Sequence, residues 1–497
     1  MNIDWYAVAI LLVAALLSWI WLAMAGRKRR QLPPGPAMAL PILGHMYLLG
    51  PLPHKSMHTL CQKYGPIVFL RLGSSPTVVL SSPSLAKQFL HDHDDAFAFR
   101  PAMEFSKLVF YNKGSALMQP DDPRWRAIRR LYVQEVLSSK SILSYKHVRQ
   151  EEIGLLLQDI RSKENAGECV EIRSLAYRYI FNVMTSLLFS QRAMEGELSE
   201  FRVVFKALSE LFGQPLISDF VPYLHWLDPG GLRKRVMLQA ERMNALLQRI
   251  LDQRLLLRRT NQASPADVLT VFLDSFGMPD NPDYDFVKAS ILELLTGSTD
   301  TTTAAVEWAM AELLCAPKSK LAGLQEEISA IVQPGQQVEE SQINSLPYLQ
   351  AVVTETLRLH PPVPLLLPHL ARDPIEIAGF SLPRNTRLFV NLWAIGRDES
   401  LWEAASEFKP ERFLTGGHAS GVGLFGGQSY QLLMPFGRGR RGCPGNQLAA
   451  TMISLLIANF VHSFQWLPSC SSIPADEVMG MSNMLAKPFS ARPHIRC

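Results

Sequence analysis

The chain has 497 residues, 47% hydrophobic and 19% charged, which is enough apolar material for a large core and excludes a disordered chain. A net charge of +4 excludes nucleic acid as the main electrostatic partner. Six cysteines, at 61, 169, 315, 443, 470 and 497, show no short paired spacing, which argues against a disulfide framework or a zinc site.

Residues 5–25 form an uncharged, mostly apolar run. As a helix rising 1.5 Å per residue it would be about 31 Å long, enough for a hydrocarbon core. Arg27, Lys28, Arg29 and Arg30 follow it and only Asp4 precedes it, so the positive-inside rule places the rest of the chain in the cytosol. A cleaved signal peptide is the alternative, with Ala23, Met24 and Ala25 as a possible cleavage site; the run is too long for one, and the basic cluster lies on the wrong side. Residues 1–26 are therefore read as a membrane anchor. Residues 27–44 are basic and proline-rich, and Pro33, Pro34 and Pro36 make them a stiff, extended hinge. Residues 45–497 show no repeat and no second linker, and are read as one large domain.

Within that domain, β-like runs appear at 67–72, 77–80 and 387–391, and helical periodicity at 237–257 and 286–315. His54 and His58 have i,i+4 spacing but lack the glutamate of a zinc-protease motif, so they are read as surface residues. His91, Asp92, His93, Asp94 and Asp95 read as a charged loop. Trp125 and Arg129 lie four apart, on one helical face. Residues 296–302 read TGSTDTT, a poor helix interior whose hydroxyls can bond back to carbonyls one turn earlier. Gly297, Ser298, Thr301 and Ala305 would share one small-residue face. Glu355 and Arg358 share a face of a helix that Pro361 ends.

The sharpest constellation is PFGRGRRGCPG at 435–445. Its glycines let backbone approach a flat ligand, and an apolar-periodic helix with Leu448, Met452, Leu455 and Leu456 on one side follows. Cys443 then sits before a helix N-terminus among three arginines, which favours its thiolate, and a thiolate held this way is a good axial ligand for haem iron. A buried structural cysteine in a glycine-rich turn, or a phosphate-binding loop, remains open on these residues alone.

The segment resembles the haem-binding signature of the cytochrome P450 family, F-x-x-G-x-R-x-C-x-G, at every fixed position: Phe436, Gly439, Arg441, Cys443 and Gly445. The resemblance implies a mainly α fold with small β-sheets, the cytochrome P450 fold, as a single haem domain behind an N-terminal transmembrane helix. It implies haem b as cofactor, Cys443 as axial ligand of the iron and Arg441 on a haem propionate. Trp125 and Arg129 match W-x-x-x-R and are implied to reach propionates, as is His369. Glu355 and Arg358 match E-x-x-R and are implied to join Arg412, of Pro410-Glu411-Arg412-Phe413, in a network that fixes the haem loop. Residues 296–302 resemble (A/G)-G-x-(D/E)-T-(T/S), with Asp300 and Thr301 as the catalytic acid–alcohol pair that delivers protons during O2 activation. Ser298 departs from the pattern, where glycine is usual.

No G-x-G-x-x-G follows a predicted strand, so electrons must come from another protein. The resemblance implies NADPH-cytochrome P450 reductase, with NADPH and O2 as co-substrates, and Arg124, Arg126, Arg130, Arg438 and Arg440 are expected to present positive charge to it. The PPGP hinge, LRLHPP at 357–362 and NLWAIGRD at 391–398 look like the plant-type microsomal branch, which implies an endoplasmic reticulum membrane location with the catalytic domain cytosolic. The implied activity is hydroxylation of a small apolar or aromatic specialised metabolite. Pro368 and His369 favour phenylpropanoid or phenolic ring hydroxylation; terpenoid or fatty-acid hydroxylation is the alternative. A reductase-independent haem-thiolate isomerase or dehydratase comes next, opposed by the acid–alcohol pair, followed by a non-catalytic haem sensor. Substrate-facing candidates by position are Phe105, Phe110, Leu211, Phe212, Leu294, Ser298, Val363 and Leu366.

Overall fold

A computed structural model describes residues 31–192, 198–214, 216–224, 226–260, 262–263, 265–277, 282–425, 432–470, 472–474 and 476–496. The predicted anchor and its basic cluster lie outside the described residues. No helix among those described is long and apolar enough to cross a membrane. The described residues divide into two compact units.

The first unit comprises residues up to Pro101 together with Ile217–Trp226 and Leu365–Asn391. Its centre is a four-stranded sheet in the order Ile67–Leu72, Ser75–Leu80, Thr386–Val390, His369–Ala371. The outer pairings are antiparallel and the central one is parallel, with Val78 opposite Leu388. Val68, Leu70, Leu72 and Val79 pack on Met57 and Cys61 of the Pro53–Tyr64 helix. The described part of the hinge is tied to this unit: Phe69 N donates to Pro34 O at 2.8 Å and Ser381 N to Gln31 O at 2.9 Å. A side chain at Gly35 would run into the Phe69 carbonyl, so only glycine lets the strap lie so close. His54, read as a surface residue, is fully buried, because its position on the helix faces the sheet core.

The second unit is helical, with small sheets at its edge. The Tyr284–Cys315 helix runs through its middle, started by Asp283, whose side chain accepts from Phe286 N. It packs along Ile172–Phe189 and against Asn446–Ser463 and Pro347–Leu359. Twenty-two of its 32 residues are buried, which explains why it carries little amphipathic signal: it meets protein on nearly every side. Leu232–Arg259 is the second long helix. The strands Val170–Glu171, Ser490–Ile495 and Phe464–Pro468 form one small sheet, and Glu477–Met479 pairs with Asn483–Leu485 in another. The architecture is mainly helical with small sheets.

Candidate active site

The 435–445 segment folds as a tight loop ending at a helix. Gly437 and Gly439 take left-handed φ of 67° and 64°, which side chains resist. Cys443 N donates to Phe436 O at 2.8 Å and closes the loop, and Gly445 caps the Asn446–Ser463 helix. Phe436 stacks on Phe425 at 6.0 Å between ring centres. The Pro123–Leu131 helix meets this loop: Arg129 Nη2 donates to Gly442 O at 2.5 Å, and the Arg441 guanidinium lies 4.4 Å over the Trp125 ring. Trp125, Arg129, Arg441 and Cys443 are thus one cluster assembled from two distant segments.

Cys443 is exposed, yet desolvation dominates at its thiol and pushes it up, so it faces a space enclosed by protein rather than bulk water. The Gly445 N–H and the Arg129 charge act in the opposite direction. Arg438 is only 4% exposed and does not join an exposed basic face; Arg126, Arg130 and Arg440 are exposed, and Arg124 pairs with Asp122 at 2.8 Å. The glycine-relieved loop, the enclosed thiol and the flanking arginines and tryptophan fit a haem, and metal binding itself removes a thiol proton.

The hydroxyl-rich stretch of the long helix stays helical. Thr296 donates to Leu292 O at 2.6 Å, Thr299 to Leu295 O at 2.7 Å, Thr301 to Gly297 O at 2.7 Å and Ser298 to Leu295 O at 3.1 Å. Gly297, exposed in the middle of an otherwise buried helix, has nothing within 4 Å of where a Cβ would sit, and Ser298 and Thr301 are half-buried beside it. The open face stops there, since Ala305 is fully buried. Asp300 is buried, and desolvation raises its pKa to about 6. Ser209, from the Leu198–Leu211 helix, favours the charged carboxylate. The buried Ser209 hydroxyl makes no well-aligned hydrogen bond to any group. Nothing in the local sequence singled out Ser209; only the packing of its helix brings it to Asp300.

Ser209 also lines a cavity of about 10 Å³ with Phe105, Val109, Phe110, Phe205, Leu208, Phe212, Leu292 and Thr296. Three predicted substrate contacts, Phe105, Phe110 and Phe212, meet there, the first and last edge to face at 4.4 Å. Leu211 and Leu294 belong to the core and do not line it. The reason is helical phase: Leu292 and Thr296, four apart, form the cavity stripe, and residue 294 is turned about 200° from residue 292. Val363 is half-buried, and Leu366 belongs to the first unit, with a left-handed φ of 54°. A larger cavity of about 1040 Å³, bordered by Ser139, Glu340 and Phe413, contains none of the predicted residues.

His369 lies in the first unit, with Nδ1 2.8 Å from Phe97 O. A carbonyl only accepts, so Nδ1 carries the proton, and Nε2 could donate to a carboxylate only from the charged ring. Glu355, Arg358 and Arg412 form a fully buried ion triad. Arg358 is bidentate to Glu355 at 2.6 and 2.8 Å, and Arg412 Nε is 3.1 Å from Glu355 Oε1. The two arginines spend their remaining donors on the carbonyls of Gly396, Glu403, Ala404, Ala405 and Glu407.

Comparison with known proteins agrees with this geometry. The cytochrome P450 family model matches residues 33–491. Similar relatives include the geranylhydroquinone 3''-hydroxylase of Arnebia euchroma, 34% identical over 97% of this chain and 98% of that protein. The geraniol 8-hydroxylase of Catharanthus roseus is also 34% identical, over 99% of each chain, and the ferruginol synthase of Salvia miltiorrhiza is 34% identical over 98% of each. With residues 33–491 matched and two of these relatives named as hydroxylases, the chain belongs to the cytochrome P450 family, as a monooxygenase that draws on haem iron, O2 and electrons from a redox partner.

Proposed function

We propose that the chain is a membrane-anchored haem-thiolate monooxygenase that hydroxylates an apolar, isoprenoid-type specialised metabolite at the endoplasmic reticulum. Residues 1–26 would be the anchor, and electrons would come from NADPH through NADPH-cytochrome P450 reductase. Haem b, when bound, would supply the activation of O2. Cys443 would hold it by its sulfur, with Arg129, Arg441 and Trp125 around its acidic edge. Asp300 would take up and release a proton in a buried setting. Thr301 donates its hydroxyl proton to Gly297 O, so in this arrangement it could accept a proton from the acid's side but not donate to it.

The observation that carries the substrate reading is the cavity wall: Phe105, Phe110, Phe205, Phe212, Leu208 and Leu292 surround only two hydroxyls. Such a wall suits a hydrocarbon body with few polar groups. The relatives act on geraniol and geranylhydroquinone by name, whereas phenylpropanoid ring hydroxylation is not specifically supported by them.

Two experiments test the reading. A type I binding screen of monoterpene alcohols, diterpenes and phenolic acids, followed by turnover with reductase, should select the terpenoids; turnover confined to phenolic acids sinks the substrate class. Cys443→Ala should lose the thiolate-type band of the ferrous–CO complex and all reductase-supported turnover, and survival of that band would remove Cys443 as ligand.

The cavity holds about one water, so the aromatic side chains must move or be cut back to admit a ligand. Phe212→Ala is therefore expected to strengthen spectral binding of diterpenes relative to monoterpenes by about tenfold. An unchanged ratio would place the substrate elsewhere.

A further inference from the structure

Glu293 stands on the long helix two turns before Asp300, and nothing above assigns it a role. Its carboxylate collects four donors. Oε2 accepts from Ser115 N at 2.9 Å, from Ser115 Oγ at 2.5 Å and from the Tyr132 hydroxyl at 3.2 Å, and Oε1 accepts from Ala116 N. Tyr132 opens the Tyr132–Val136 π-helical turn that extends the helix bearing Trp125 and Arg129. Two successive backbone N–H groups with two hydroxyls make a tailored carboxylate cradle, and so many donors are seldom spent on a purely apolar contact.

The turn held in this way has a second face. Leu117 N and Met118 N both donate to Gly114 O and close the turn, while the Ser115 and Met118 carbonyls are left to other partners. Arg441 donates to both of those carbonyls, with Nη1 3.2 Å from Ser115 O. Arg441 is two residues from Cys443. A continuous path therefore runs from the carboxylate on the long helix, through the 114–118 turn, to the arginine of the cysteine loop.

We propose that Glu293 is a positioning residue that clamps the 114–118 turn so that its carbonyls set Arg441, and with it the loop that presents Cys443. The proposal rests on the reading of Cys443 as the haem ligand. Each carboxylate oxygen of Glu293 accepts one backbone N–H, so the amide nitrogen of glutamine at 293 would face a backbone donor whichever way it turned. At least one backbone N–H would then lose its partner, and the turn would relax away from Arg441.

The test uses the full-length holoenzyme. In Glu293→Gln, transfer of haem to apomyoglobin should be about tenfold faster than in wild type, the effect of one lost charge-assisted bond. The thiolate-type ferrous–CO band should also convert to the thiol type several times faster. Asp267→Asn serves as a destabilised control, since it breaks the buried Arg254–Asp267 pair (2.7 Å) and leaves Glu293 and the cysteine loop unaltered. Its haem-transfer rate should stay at the wild-type value even where its melting temperature falls as far. A Glu293→Gln protein whose haem loss and CO spectrum match wild type, or merely follow melting temperature as the control does, overturns the proposal. If Glu293→Gln yields no folded protein, Ser115→Ala with Tyr132→Phe removes both hydroxyl donors and keeps both backbone bonds. Faster haem loss in that double variant supports the clamp, and wild-type haem loss overturns it. A wild-type enzyme without a thiolate-type band would instead refute the ligand reading itself.

Discussion

Glu355→Ala is expected to cost about 3–5 kcal/mol of folding free energy, because it strands two buried guanidinium groups on one missing anion. Arg358 and Arg412 are each no more than 1% exposed, and Glu355 is fully buried. Neither arginine can turn to water, and their remaining donors are already committed to five carbonyls of residues 396–407. Glu355 Oε1 also accepts from Lys409 N at 2.7 Å, so the substitution orphans a backbone donor as well. The contrast is Arg249→Ala, which breaks the pair with Glu200 at 3.1 Å; both side chains there are about half exposed, and the expected loss is at most about 1 kcal/mol. Urea unfolding of the two variants under one set of conditions decides the matter. Equal losses would mean that the triad is no more than a solvated pair.

Asp300→Asn is expected to move stability and catalysis in opposite directions. Burial raises the Asp300 carboxyl from 3.8 to about 6, so the folded state holds a proton that the unfolded chain releases between those values. Stability contributed by this group is therefore greatest below about pH 4, falls as pH rises through about 6, and stays reduced at neutrality. Asparagine carries no charge and should relieve that penalty. The variant should be more stable than wild type by about 1–3 kcal/mol at pH 7.5, with the gain vanishing near pH 4. Its reductase-supported turnover should fall by about 10²–10⁴-fold if the acid supplies protons. Melting curves across pH and turnover per NADPH consumed are the two measurements. A variant that is less stable at pH 7.5 overturns the buried-charge penalty, and one that keeps full turnover removes Asp300 from proton delivery.

Much of the site was legible because its signals are local. The loop at 435–445 announces itself through glycines that must take left-handed φ and through one cysteine placed just before a helix. The hydroxyls of 296–302 bond to carbonyls three or four residues earlier, within reach of a single turn. Glu355 and Arg358 are three apart on one helix, and their pairing needs no knowledge of the rest of the chain. Even there the sequence could not say that the pair is buried, which separates a strong interaction from an ordinary surface one.

Two expectations of surface exposure fail for one physical reason, because the packing of an element sets which of its side chains meet water. Which stripe of the Tyr284–Cys315 helix faces the cavity depends on the rotation of that helix against its neighbours, and Leu292 with Thr296 holds that face. Arg438 looked like surface charge and is buried, because loop geometry rather than residue type sets its exposure. His54 followed the same course on its own helix.

By itself the sequence pointed to the family and to monooxygenase chemistry, through the resemblance of its short motifs to those of cytochrome P450 proteins. The tertiary structure decided which distant groups become partners. Glu293 lies 178 residues from Ser115, Arg441 lies 326 from Ser115, and Arg412 lies 57 from Glu355. Ser209 acts on Asp300 although the two lie on separate helices. Such pairings are set by how buried faces interlock, and the price of a buried charge left unpaired makes them specific. No local pattern encodes that price, because it arises only once water has been excluded from both partners at once.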